Sequence, residues 1–199
     1  MPVITQAVAA ELLQPFADDL VKVVHDAWAD WLANPIAPNM QNKRVRANVM
    51  WNQMITHAKG RLDGHGGVRV KSMAPWDGVM IADKIFVRLK KADDRLLSRN
   101  YPTQSAIAFV DQDQDLFEGI VRADLVYVLD VSETEIERVA VVQWDKNRIA
   151  WMVDLMGEAP MAQEVIPFPV IPVQGGPSVA DRIIKPKKQA DKDVASGGE

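Results

Sequence analysis

The sequence predicts an α+β fold in which N-terminal helices are followed by a mainly antiparallel sheet with a short helical insertion. Two observations carry this expectation. Apolar residues recur every three or four positions up to residue 62, and every second position from residue 68 onward. Helical texture precedes strand texture instead of alternating with it, which favours segregated layers over a parallel βαβ sheet.

Over residues 4–33, Val8, Leu12, Phe16, Leu20, Val24, Trp28 and Trp31 form the expected inward stripe. Pro15 interrupts it, because a proline inside a helix removes a backbone N–H donor; the helix kinks there or restarts. Asn34-Pro35 and Ala37-Pro38 end it, since a residue before proline is pushed out of the α region. A second helix is expected from Met40 to Leu62. Val45, Val49, Ile55, Ala58 and Leu62 give its apolar stripe, and Lys43, Arg44, Arg46, Lys59 and Arg61 its basic surface. The glycine-rich stretch 63–67 then makes a turn cheaper than further helix.

Val68-Arg69-Val70-Lys71 alternates as a half-exposed strand does. Pro75-Trp76-Asp77-Gly78 reads as a turn, with Asp-Gly as a hairpin signal, and Val79–Leu89 as one further strand. Thr103 is placed to cap a short helix over Gln104–Val110, ahead of an acidic loop at 111–119. The continuous apolar run Leu125–Leu129 suits a central strand. Val139–Trp144 and Arg148–Leu155 read as a hairpin around Asp145-Lys146-Asn147, with Ile149, Trp151 and Val153 on one face and Trp151 more buried than Asp145. Residues 1–64 and 65–158 are thus the helical and β-rich parts of one compact domain. A proline-rich extended segment is expected at 159–184 and a disordered tail at 185–199.

Composition excludes several function classes. With no cysteine, the chain forms no disulfide, thiolate zinc site or cysteine nucleophile. No run approaches the ~18 apolar residues of a membrane span, and Met1–Gln14 lacks the regions of a signal peptide, so a cytoplasmic location is expected. His25, His57 and His65 show no ligand spacing; no metal and no cofactor are expected. Asp124, Asp130, Glu135, Glu137, Asp145 and Lys146 would suit a metal-dependent nuclease only if adjacent strands brought them together, and the Glu-x-Lys pairing of such enzymes is missing. No phosphate loop or nucleophile elbow is present. No catalytic residue is assigned, and a non-enzymatic role is favoured.

Net charge is −4, unevenly spread: residues 1–42 carry −4, 43–99 carry +8, 100–184 carry −9 and 185–199 carry +1. Such asymmetry either marks a basic surface or disappears when the blocks neutralise one another on folding. The candidate basic surface consists of Lys43, Arg44, Arg46, Arg88 and Lys90. Six tryptophans, with Trp51 and Trp76 in the basic block, supply either base-stacking groups or core.

Three stretches taken together carry a resemblance. They are Lys84-Ile-Phe-Val-Arg-Leu-Lys-Lys-Ala-Asp93, Ser98-Arg-Asn-Tyr-Pro-Thr-Gln104, and Tyr127-Val-Leu-Asp130 leading through Thr134-Glu-Ile-Glu-Arg-Val139 to the Trp144–Trp151 hairpin. In motif order, residues 65–155 resemble uncharacterised bacterial and prophage proteins encoded beside ImmA/IrrE-type metallopeptidase regulators. The resemblance implies a two-gene toxin–antitoxin or phage-defence module, with this chain as toxin or effector and a cognate regulator or antitoxin protein as partner. It implies no catalytic residues. The alternative is a nucleic-acid-directed effector that uses the 43–99 basic block as a binder, or the 124–137 carboxylates as a nuclease.

Overall fold

The computed structural model describes residues 4–98 and 103–157; the segments expected at 159–184 and 185–199 lie outside them. The helices are α1 (Gln6–Leu13), α2 (Ala17–Ala33), α3 (Lys43–Arg61) and α4 (Gln104–Val110). The strands are β1 (Val68–Met73), β2 (Trp76–Ile81), β3 (Ile85–Lys91), β4 (Val121–Leu129), β5 (Ile136–Asp145) and β6 (Arg148–Asp154). They form one sheet in sequence order. Every neighbouring pair is antiparallel except β3 and β4, which run parallel with α4 in the connection between them. The α+β architecture is as the sequence predicts.

Local signals explain the helix boundaries. A 3₁₀ turn at Gln14–Phe16 takes Pro15 between α1 and α2. Asn42 caps α3 by accepting the Arg44 N–H at 2.9 Å, and Thr103 caps α4 by accepting that of Ala106 at 3.2 Å. The inward faces differ from the expected stripes. Ala9 and Leu13 are buried where Val8 is 40% exposed, and α3 buries Met50 and Met54 where Val45 is 37% exposed. The 3₁₀ turn at Gln14–Phe16 separates α1 from α2, so one helical wheel does not run through both and Val8 need not share the face that Leu20 defines.

One face of the sheet packs on α1–α3. That core joins Leu13, Leu20, Val24, Met50 and Met54 to Val87, Leu125, Tyr127, Val141 and Trp151. The second face is covered by α4 and the flanking loops, with Phe109 and Phe117 against Met80 and Phe86, and Leu96 near Val126 and Trp144. All nine residues of β4 are buried, the pattern of a central strand covered on both sides.

Two hairpins correct the sequence reading. The first turn is Ala74-Pro75, joined by a cis peptide bond, while Asp77 and Gly78 lie within β2 opposite Ser72 and Lys71. Val79–Leu89 is two strands, because Ala82 and Asp83, both at φ +51°, form a tight turn without the Asn-Gly pair that would announce it. The 145–147 hairpin forms as expected and Trp151 is buried at 4% exposure. A register shift between Gln143 and Trp144 nevertheless moves Ile149 to the second face with Trp144, away from Trp151 and Val153.

Gly78 has a packing role that no turn explains. A Cβ there would collide with the Val87 carbonyl oxygen, so β2 and β3 approach closely only because the side chain is absent. Gly78→Ala is expected to destabilise the protein by about 1–3 kcal/mol, the range of an overpacked interior, read as a lowered midpoint in urea.

Candidate functional site

Three cations converge on one carboxylate where the β4–β5 turn meets the start of α3. Lys43 and Arg46 project from the first turns of α3, Lys91 from the end of β3, and Glu133 from the turn. Glu133 Oε2 accepts from Arg46 at 2.6 Å and pairs with Lys43 at 3.0 Å, while Oε1 accepts from Lys91 at 2.9 Å. The hydrogen bond from Arg46 contributes most to holding the Glu133 carboxyl well below its ordinary 4.5, at about 2, with Lys91 and Lys43 adding to it and desolvation opposing. Arg46 also sits 5.8 Å from the centre of the Trp28 ring.

The turn itself is tied down by Asp130. Its carboxylate accepts backbone N–H groups of Ser132 at 3.0 Å, Thr134 at 2.6 Å and Glu135 at 2.8 Å, and Glu133 takes a left-handed φ of +57°. These bonds, with that of the Ser132 hydroxyl first, hold the Asp130 carboxyl far below the usual range. Val131, at the tip, is fully exposed. Val45, between Arg44 and Arg46, and Leu32 and Ile36, where α2 gives way to the chain leading to α3, also expose apolar surface. Hydrophobic spacing could not have flagged Glu133 or Val131, because neither belongs to a periodic element.

The candidate basic surface is not brought together. Lys43, Arg44 and Arg46 lie on α3, over the first face of the sheet. Arg88 points into the second face and is buried at 5% exposure, which corrects its placement on an exposed surface. The reason is alternation: Ile85, Val87 and Leu89 face the helices, so Phe86, Arg88 and Lys90 face the other way. Arg88 donates to Asp124 from Nε at 2.7 Å and from its terminal nitrogen at 3.0 Å, and its guanidinium lies 3.4 Å from the centre of the Phe109 ring. Lys90 is half-buried; burial first, then Arg88, pull its ammonium below the usual range, with Asp124 partly offsetting them.

Three of the carboxylates weighed for nuclease chemistry are separately engaged. Asp124 is held by Arg88, Asp130 caps its turn, and Asp145 accepts from Arg148 at 2.8 Å. Lys146 donates to Asp113 at 2.6 Å. Among the described residues no group of three or more His, Asp and Glu side chains could hold a metal ion. His57 pairs with Asp30 at 2.7 Å. Trp28, Trp31, Trp144 and Trp151 are buried, and Trp76 packs 5.5 Å from both Phe109 and Phe117, so these rings serve the core. An open groove of about 420 Å³ beside β5 and β6 is lined by Asp94, Val128, Glu137, Arg138, Asp154 and Met156. No helix among the described residues is long and apolar enough to cross a membrane.

Comparison of the chain with protein-family models, curated proteins and solved structures gives no match.

Two outcomes follow from these ion pairs. Asp124→Ala strands a buried guanidinium and is expected to cost about 3–5 kcal/mol in a denaturant melt, whereas the double change Arg88→Met with Asp124→Leu restores most of that loss. Glu133 has a folded-state pKa depressed from 4.5 to about 2, so its stabilisation is complete above about pH 4.5 and is lost as pH falls towards 2. The difference between wild-type and Glu133→Gln stability, measured across an acid series, should therefore shrink over that window and stay flat above it.

Proposed function

We propose that the chain is a non-enzymatic interaction protein that acts by binding a cognate protein through the end of the molecule formed by the β4–β5 turn and the start of α3. The observation that carries this reading is Val131, an apolar side chain with full exposure on a turn held by Asp130 and Glu133. A pre-ordered turn loses little freedom on binding, and exposed apolar groups beside charged ones are a common anatomy of interfaces. Leu32, Ile36 and Val45 are further exposed apolar side chains, and Lys43, Arg46 and Lys91 place cations beside the turn. The motif-order resemblance supplies the setting we favour, a two-gene toxin–antitoxin or phage-defence module with this chain as toxin or effector. The nucleic-acid alternative is weakened in part, because six cations of the 43–99 block are paired within the protein: Lys43, Arg46 and Lys91 with Glu133, Arg61 with Asp26, Arg69 with Asp83, and Arg88 with Asp124.

The test combines partner retention with a salt series. The tagged chain should retain a specific protein from its host, and Val131→Asp should reduce that retention at least about tenfold while leaving the melting temperature unchanged. Duplex or single-stranded DNA should bind weakly. Tight DNA binding that falls steeply with salt and ignores Val131→Asp would replace this reading with the nucleic-acid one.

A further inference from the structure

The cluster around Glu133 holds more donors than its carboxylate uses. Both carboxylate oxygens are occupied, Oε1 by Lys91 and Oε2 by Arg46 and Lys43. Tyr127, register partner of Lys91 across β3 and β4, has a hydroxyl with no hydrogen-bond partner and is 1% exposed. Burial pushes that hydroxyl's pKa up, with Arg46 opposing the shift and Glu133 adding to it. Buried polar atoms in native proteins are nearly always paired, so an orphan beside a charged cluster calls for a reason. The start of α3 adds a second excess. A helix start favours an anion through its dipole, yet the first turn of α3 holds Lys43, Arg44 and no acidic side chain.

We infer that Lys43, Arg46, Lys91 and the Tyr127 hydroxyl form a binding site for a phosphate monoester, in which the Glu133 carboxylate is a tethered stand-in. Charge and oxygen count select the ligand. A carboxylate brings one negative charge and two oxygens, and a phosphodiester also has one charge and two unesterified oxygens. A terminal phosphate brings nearly two charges and three free oxygens. It alone of the three matches three cations and a further hydroxyl donor. The donors are already set in place: Arg46 against the Trp28 ring, Lys91 and Tyr127 on neighbouring strands. Only the Glu133 side chain has to leave, because the backbone of its turn is held independently by Asp130. The inference goes beyond the protein-binding reading and does not require a protein partner.

The experiment titrates inorganic phosphate and phosphoserine into the full chain at low salt by calorimetry, with dimethyl phosphate as the diester control. Wild type should bind both monoester-type ligands, and Glu133→Gln, which removes the competing anion, should bind them about tenfold more tightly, the gain of one charge-assisted hydrogen bond. Tyr127→Phe should weaken phosphate binding by a similar factor without lowering the melting temperature, a combination that a purely structural hydroxyl would not give. Should Glu133→Gln fail to fold, Lys43→Ala and Tyr127→Phe in the otherwise wild-type chain decide the matter, each being expected to weaken binding. Unchanged affinity in Tyr127→Phe, or absence of phosphate binding in both wild type and Glu133→Gln, would overturn the site. Equal affinity for dimethyl phosphate would also overturn it and point to nucleic-acid backbone instead. Protein retention is read separately with Val131→Asp, which leaves the phosphate site's residues in place, so the two readings fail separately.

Discussion

A strand covered on both faces can hold a charge only if the opposite charge is built in beside it. β4 is that strand, and Asp124 is its charge. The partner comes from β3, where the parallel register sets Arg88 directly against Asp124, and the two side chains meet through two hydrogen bonds under the Phe109 ring. The pair constrains its surroundings. β3 and β4 cannot slip by one residue without throwing Arg88 towards the helices and leaving Asp124 buried alone. Phe109 must stay over the guanidinium, which fixes α4, and Arg122 ties the following loop down by donating to the carbonyls of Ala108 and Asp111. Gln112 completes the layer by donating to the carbonyls of Arg122 and Trp144, where the β4–β5 ladder has ended. Such a pair adds little net stability over an apolar one; what it supplies here is register.

Much of this fold was legible in the sequence, and the gaps have physical causes. The order of helices before strands, the Thr103 cap, the central run at Leu125–Leu129 and the 145–147 hairpin all rest on local chemistry that the chain displays. The Ala82-Asp83 turn was hidden because its left-handed backbone is not carried by glycine or asparagine. Asp77-Gly78 misled because glycine serves close strand approach as well as turns. Ile149 changed faces through a bulge, which adds a residue without marking it. For the candidate site, the basic residues were visible but their faces were not. Arg88 and Arg46 look alike in sequence, yet strand alternation buries one and a helix start half-exposes the other. Glu133 and Tyr127, which give the cluster its meaning, come from parts of the chain that only the fold brings near α3.

The uneven charge of the chain has a similar resolution. The basic block of residues 43–99 and the acidic block of 100–184 meet at Glu133 with Lys43, Arg46 and Lys91, and at Asp124 with Arg88. Segment charge therefore reports which parts of the chain attract one another as they fold more than which surface awaits a partner. At Glu133 the cations outnumber the carboxylate, and positive charge remains there.

The single parallel step in the sheet divides it into two three-stranded meanders, β1–β2–β3 and β4–β5–β6, each built from strands that are neighbours in sequence. Within a meander, every contact between strands closes a short loop, so each can assemble quickly on its own turns. Joining them requires closure of a longer loop, between Lys91 and Val121, which costs more entropy than the short turns within each meander. The pairing of β3 with β4 therefore has the longest loop to close and is the step expected last. A chain caught before that step presents two unpaired strand edges, one from each meander, and copies of it can pair edge to edge in place of the seam.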